Sequence, residues 1–133
     1  MTRDDVQSWL DRYVSAWKSY DPLEIGALFA EDAEYRYHPW DEPVRGHDAI
    51  VRSWLEPAGS ASGRDEPGTY DARYEPYAVE GDKAAAVGWS EYHGADGSVR
   101  QRYRNAFLLR FDAACRCTSF TELFVLEPAP PPA

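Results

Sequence analysis

The chain has 133 residues, 14 of them basic and 23 acidic, for a formal net charge of −9, with 44% hydrophobic and 14% aromatic residues. That length supports one domain with a real core, and that charge argues against nucleic acid and against an anionic membrane surface as partners. No stretch approaches the roughly 18 consecutive apolar residues that span a bilayer. Met1-Thr2-Arg3-Asp4-Asp5 also lacks the basic-then-apolar pattern of a signal peptide, so a cytoplasmic location is the expectation.

In chain order, Val6, Trp9, Leu10, Tyr13, Trp17 and Tyr20 recur at three- and four-residue steps and make one wide apolar helix face. Thr2 and Asp5 have the spacing of a capping box. Asp21-Pro22-Leu23-Glu24 restarts the chain with an N-cap, a proline at the first helical position and an acid in the first turn, which predicts a short second helix running to about Asp32. A short strand is expected over Glu34–His38. Pro39 and Pro43 then brace a turn, and Gly46 opens a third helix carrying Ile50, Trp54 and Leu55, which Pro57 stops. Residues 56–68 are small, polar and turn-rich; they read as a flexible connector placed where it could act as a lid.

From Thr69 the period changes to two, predicting strands over Thr69–Val79, Lys83–His93, Val99–Phe111 and Arg116–Leu126 with short turns between them, the pattern of an antiparallel meander. Residues 1–127 read as a single domain and 128–133 as a proline-rich mobile tail. Cys115 and Cys117 are two apart, poor geometry for a mutual disulfide, and His38, His47 and His93 show no metal-ligand spacing. Reduced cysteines, no metal and no cofactor are expected. Helices first and a long sheet second make an α+β fold. Its economical packing is a cone: a curved antiparallel sheet wrapped around three N-terminal helices, with a cavity at the mouth.

Arg12-Tyr13-Val14-Ser15-Ala16-Trp17, Leu28-Phe29-Ala30-Glu31-Asp32-Ala33, and His38-Pro39 through Glu42-Pro43 to Gly46 and Ala49-Ile50 resemble the nuclear transport factor 2-like superfamily, most of all ketosteroid isomerase. The superfamily also includes scytalone dehydratase, limonene epoxide hydrolase and SnoaL-like polyketide cyclases. The resemblance implies the cystatin-like α+β barrel and, at single positions, candidate roles. Tyr13 falls where ketosteroid isomerases place the tyrosine that hydrogen-bonds the substrate oxyanion, and His38 where they place the aspartate that moves the proton. Phe107 falls where they place a second, protonated aspartate, so half of that oxyanion hole is absent here. Trp54 matches a pocket aromatic. Glu122 falls on a pocket-facing position where limonene epoxide hydrolase carries a participating aspartate.

Each candidate has a structural alternative. Tyr13, on the apolar face of the first helix, is either an oxyanion donor or a core tyrosine. His38 exchanges protons near neutral pH or caps the turn. Strict alternation puts His38 opposite Tyr35 and Tyr37, so either a twist or bulge before Pro39 turns it inward or the two tyrosines face the cavity instead; the resemblance implies the first. Glu122 shares a face with Phe120 and Phe124. An acid on an aromatic face either lines a pocket, with its pKa raised by desolvation, or pairs with a neighbour. Tyr103 and Asn105 share a face with Phe107, while Trp89, Glu91 and His93 form either a rival acid/base face or an outer, subunit-facing one.

Two functions fit. One is a cofactor-free isomerase, dehydratase, cyclase or hydrolase using His38, Tyr13 and Glu122 on a small apolar carbonyl, enol or epoxide, walled by Trp17, Trp54, Tyr103, Asn105, Phe107, Phe120 and Phe124. The other is a dimeric small-molecule binder without turnover. Either way the expected partners are a small apolar molecule and a second copy docked on the outer face of the sheet.

Overall fold

The structure, a computed structural model, describes residues 1–57 and 64–128. Residues 58–63, the centre of the expected connector, and 129–133, most of the expected tail, lie outside the described residues. Helix α1 (Arg3–Ser19) starts as its spacing predicts: the Asp5 amide donates to Thr2 Oγ1 at 3.1 Å and the Thr2 amide donates to Asp5 Oδ2 at 2.9 Å. It ends on Tyr20 in the left-handed conformation, φ 50°, with the Tyr20 amide bound to the Ala16 carbonyl. Helix α2 (Pro22–Ala27) is capped by Asp21, whose carboxylate accepts from the Leu23 amide at 2.8 Å.

Then come strands β1 (Phe29–Arg36) and β2 (Val44–Arg45), helix α3 (His47–Trp54), and strands β3 (Tyr70–Glu80), β4 (Lys83–His93), β5 (Val99–Phe111) and β6 (Cys117–Leu126). One six-stranded sheet has the order β2-β1-β6-β5-β4-β3.

Three expectations are corrected. The second helix stops at Ala27 and not near Asp32, and β1 begins at Phe29 and not at Glu34. The sheet is not wholly antiparallel, because β1 runs parallel to β6, with Phe29 beside Cys117 and Tyr35 beside Phe120. The first two share one cause. The register shifts between Phe29 and Glu34, so the buried residues Phe29, Ala30, Ala33 and Tyr35 do not alternate, and the segment carries a helix-like pattern of apolar residues. The long strands β3 to β6 do pair antiparallel in sequence order.

The core lies between α1, α3 and the inner face of the sheet. Trp9, Phe29, Phe107 and Phe120 are among its largest fully buried side chains. Phe120 is the hub: its ring stacks on Tyr35 (4.3 Å, 6°) and on Tyr13 (5.5 Å, 17°) and leans on Phe107 at 4.8 Å. The Trp9 indole donates to the Leu28 carbonyl at 3.0 Å, tying α1 to the start of β1. Cys115 and Cys117 are both free, and burial pushes the Cys117 thiol up to about 12. Truncating Phe120 removes stacking from both sides at once. Phe120→Ala is expected to cost about 3–5 kcal/mol, read as a lower urea midpoint at unchanged slope.

Candidate functional site

Alternation on β6 puts Phe120, Glu122 and Phe124 on the inner face, with Phe107 opposite Glu122 and Asn105 opposite Phe124 on β5. Asn105 is buried and donates from Nδ2 to Glu122 Oε1 at 3.3 Å. Its Oδ1 accepts from the Ser90 hydroxyl at 3.0 Å, which fixes the direction of the amide and so keeps a donor aimed at the acid. Desolvation raises the Glu122 pKa to about 7, against the Asn105 hydrogen bond and the His38 charge, which lower it.

Five phenols feel the Glu122 charge: Tyr13, Tyr35, Tyr37, Tyr74 and Tyr92. In each, burial is the first cause of a raised pKa; for Tyr37, whose hydroxyl lies 2.8 Å from Ser53 Oγ, it reaches about 12. The phenols therefore stay protonated, and Glu122 is the group among them that changes charge near neutrality.

His38 comes to the same place by a different route from the expected bulge. Tyr35 and Tyr37 themselves face inward. The strand ends at Arg36, and the turn that follows delivers His38 to the rim. Its Nδ1 lies 2.9 Å from Asp41 Oδ2, which leaves Nε2 as the ring atom available to a guest. The ring stacks on Trp40 at 5.1 Å and tilts against Phe124 at 5.5 Å.

Pairing of β1 with β6 stops at Arg36 and Thr121, and in the gap beyond it opens a cavity of about 490 Å³ whose lining includes His38, Trp40, Asn105, Glu122 and Phe124. A second cavity of about 240 Å³ shares Asn105, Glu122 and Phe124 with the first and adds Asp65, Ser90, Tyr92, Gln101 and Tyr103. A wider depression of about 780 Å³ between α2, β2 and α3 shares no residue with either.

The structure therefore brings His38, Glu122, Asn105, Tyr103 and Phe124 to adjoining cavities. Tyr13 lines neither of the two. It is buried, its hydroxyl 3.5 Å from the Tyr35 hydroxyl and its ring among Trp9, Trp54, Phe107 and Phe120. Phe107 and Phe120 are likewise core residues behind the acid. Trp54 is buried too, with an indole nitrogen that has no hydrogen-bond partner among the described residues. Trp17 packs on Tyr70 at 4.5 Å and donates to Asp65 Oδ2 at 3.1 Å. Glu91 and His93, the rival pair, line neither of the two cavities. Their side chains bond each other, and Glu91 is gripped by Arg102 beside it on the strand pairing. Among the described residues, no group of three or more His, Cys, Asp or Glu side chains could hold a metal ion. No helix among them is long and apolar enough to cross a membrane.

A model of the SnoaL-like domain matches residues 10–120. The chain belongs to the SnoaL-like domain family. Its fold is the nuclear transport factor 2-like cone. A solved structure from Kribbella flavida DSM 17836, provisionally described as a ketosteroid isomerase, superposes with a TM-score of 0.67 at 17% identity, covering 98% of this chain and 85% of that one. No curated protein sequence matches significantly.

Sequence reasoning missed Asp65, Ser90 and Tyr92 in this SnoaL-like domain. Ser90 and Tyr92 were findable, since they continue the small-residue face Ala84, Ala86, Gly88 that turns inward. Asp65 was not, because loop residues have no period and its position is set by the Trp17 indole and by the bond from its own amide to the Tyr20 hydroxyl at 2.8 Å.

A carboxyl whose pKa is higher folded than unfolded binds a proton in the native state first, so its contribution to stability falls as pH rises from the ordinary value, 4.5, through about 7. The span corresponds to a loss on the order of 3 kcal/mol. Glu122→Gln is expected to abolish that slope: variant and parent should differ most above pH 7, with the variant the more stable, and converge near pH 4, as read by urea titration across pH.

Proposed function

We propose that this SnoaL-like domain binds a small, mostly apolar molecule at the mouth of the cone and moves a proton on it, without a cofactor, by general acid/base catalysis. The observation that carries this reading is Glu122: a carboxyl on an aromatic face, held by one amide donor, titrating near neutral pH, at the junction of two cavities. His38, oriented by Asp41, is the second proton-transfer group, and Asn105 the donor nearest the acid. Trp40 and Phe124 supply an apolar wall. A small carbonyl or enol compound, or an epoxide, fits such a pair, because each needs one group to take a proton and another to give one.

The buried position of Tyr13 favours a second reading. If its hydroxyl acts only within the core, the site lacks a strong oxyanion donor, and the domain is a binder whose polar groups orient a ligand. In either case we propose a homodimer through the outer face of the sheet, where Leu108, Leu123 and Val125 are exposed, the last two also lining the larger cavity.

Incubation in heavy water with a panel of small cyclic ketones and epoxides tests the enzyme reading. Deuterium uptake beside the carbonyl, or epoxide opening, is expected, with a drop of about 100-fold or more in Glu122→Gln and in His38→Ala. Turnover unchanged in both variants would remove the pair from the mechanism. Thermal stabilisation by panel members with no conversion of any of them would support the binder.

A further inference from the structure

The other partly buried carboxyls among the described residues are matched by basic side chains. Asp71 pairs with Lys18 at 2.7 Å, Glu34 with Arg45 at 3.3 Å, Glu127 with Arg104 at 2.5 Å, Asp112 with Arg116 at 3.3 Å, and Glu91 with Arg102. The two that line the 240 Å³ cavity, Asp65 and Glu122, form no ion pair among the described residues. They come from separate elements, the segment before β3 and the middle of β6, so local sequence does not account for the pairing.

Each is instead held by neutral donors, with the Tyr20 hydroxyl joining the Trp17 indole on Asp65. The Trp17 indole bonds Asp65 Oδ2, and the Asn105 amide bonds Glu122 Oε1. Among the described residues no hydrogen bond reaches Oε2 of Glu122. No lysine, arginine or histidine lines this cavity; its other walls are Ser90, Gln101 and the rings of Tyr92, Tyr103 and Phe124. Those rings form a continuous edge-to-face run, Tyr92 to Tyr103 at 5.9 Å and Tyr103 to Phe124 at 5.5 Å.

Aromatic faces and carboxylates around one cavity attract positive charge, and a partly desolvated carboxylate without a counter-charge is costly. We infer that the guest of this cavity carries a cationic nitrogen, a protonated or quaternary amine, seated between Asp65 and Glu122 against the rings of Tyr92, Tyr103 and Phe124. The inference rests on the reading of the mouth as a small-molecule site and narrows it to a ligand class. The remaining charged or titratable neighbours leave the position open. His38, whose charge Glu122 feels, already faces Asp41; Arg104, which lines the adjoining cavity, is paired with Glu127; Arg64 lies over the Tyr20 ring at 5.6 Å and donates to the Leu55 carbonyl; the nearby phenols stay neutral.

The test compares choline with its uncharged carbon isostere, the dimethylbutanol in which a tert-butyl group replaces trimethylammonium, by NMR titration of the intact protein. Choline is expected to bind at least about tenfold more tightly. Its affinity should fall about tenfold between about pH 8 and about pH 6 as Glu122 takes up a proton, while that of the isostere stays flat. Asp65→Asn and Glu122→Gln should each erase most of the preference, and Glu122→Gln the pH dependence as well. Retained isostere binding in both variants shows that the cavity is intact. Isostere binding equal to or tighter than choline, or a choline preference that survives the double variant, overturns the inference and leaves the pocket standing. Failure of both compounds to bind overturns the inference and the pocket reading together.

Discussion

The organising constraint of this molecule is one carboxyl kept among aromatic rings with an amide as its nearest donor. A charged Glu122 would be poorly solvated there, so the proton it holds near neutral pH is a property of its surroundings. Those surroundings are assembled from distant parts of the chain. Asn105 and Phe107 come from β5, Ser90 from β4, Tyr74 from β3, Tyr35 from β1 and Tyr13 from α1. The curved sheet and its helices serve the site chiefly by holding these groups where no single element could.

The aromatic interior divides into two zones. Deep in the cone, Trp9, Tyr13, Phe107 and Phe120 close-pack, and their rings leave the polar atoms little to do. Toward the mouth, Trp17, Tyr92, Tyr103, Phe124, His38 and Trp40 make a looser belt that walls open space. Glu122 lies at the boundary. The same fold carries many chemistries across its family, and which one operates depends on which side chains stand at that boundary.

The fold was legible in the sequence wherever a period was clean. The apolar face of α1, the capping box at Thr2 and the alternation of β3 to β6 each follow from spacing, because burial on one face leaves a repeat. β1 was misread because its register shift breaks the repeat and its partner is a strand more than eighty residues away, a pairing that no local pattern encodes. Of the site, Glu122 was visible as an acid between two phenylalanines. His38 was visible as a residue type, but its approach was not, since a turn re-aims side chains without regard to strand parity. Tyr13 pointed inward as its helix face requires; how far from the mouth it stops depends on the depth of packing around Phe120, which spacing does not report. Asp65 left no trace at all.

The parallel contact between β1 and β6 has a bearing on biosynthesis. As the nascent chain emerges, Phe29 and Tyr35 must wait for Cys117 and Phe120, more than eighty residues further along the chain. Until then β1 has only the two-residue β2 to pair with, at Glu34 and Tyr35, and its Phe29 end has no strand partner. Closing so long a loop is slow relative to forming the local hairpins β3 to β6. The first strand therefore completes its pairing only once β6 is in place.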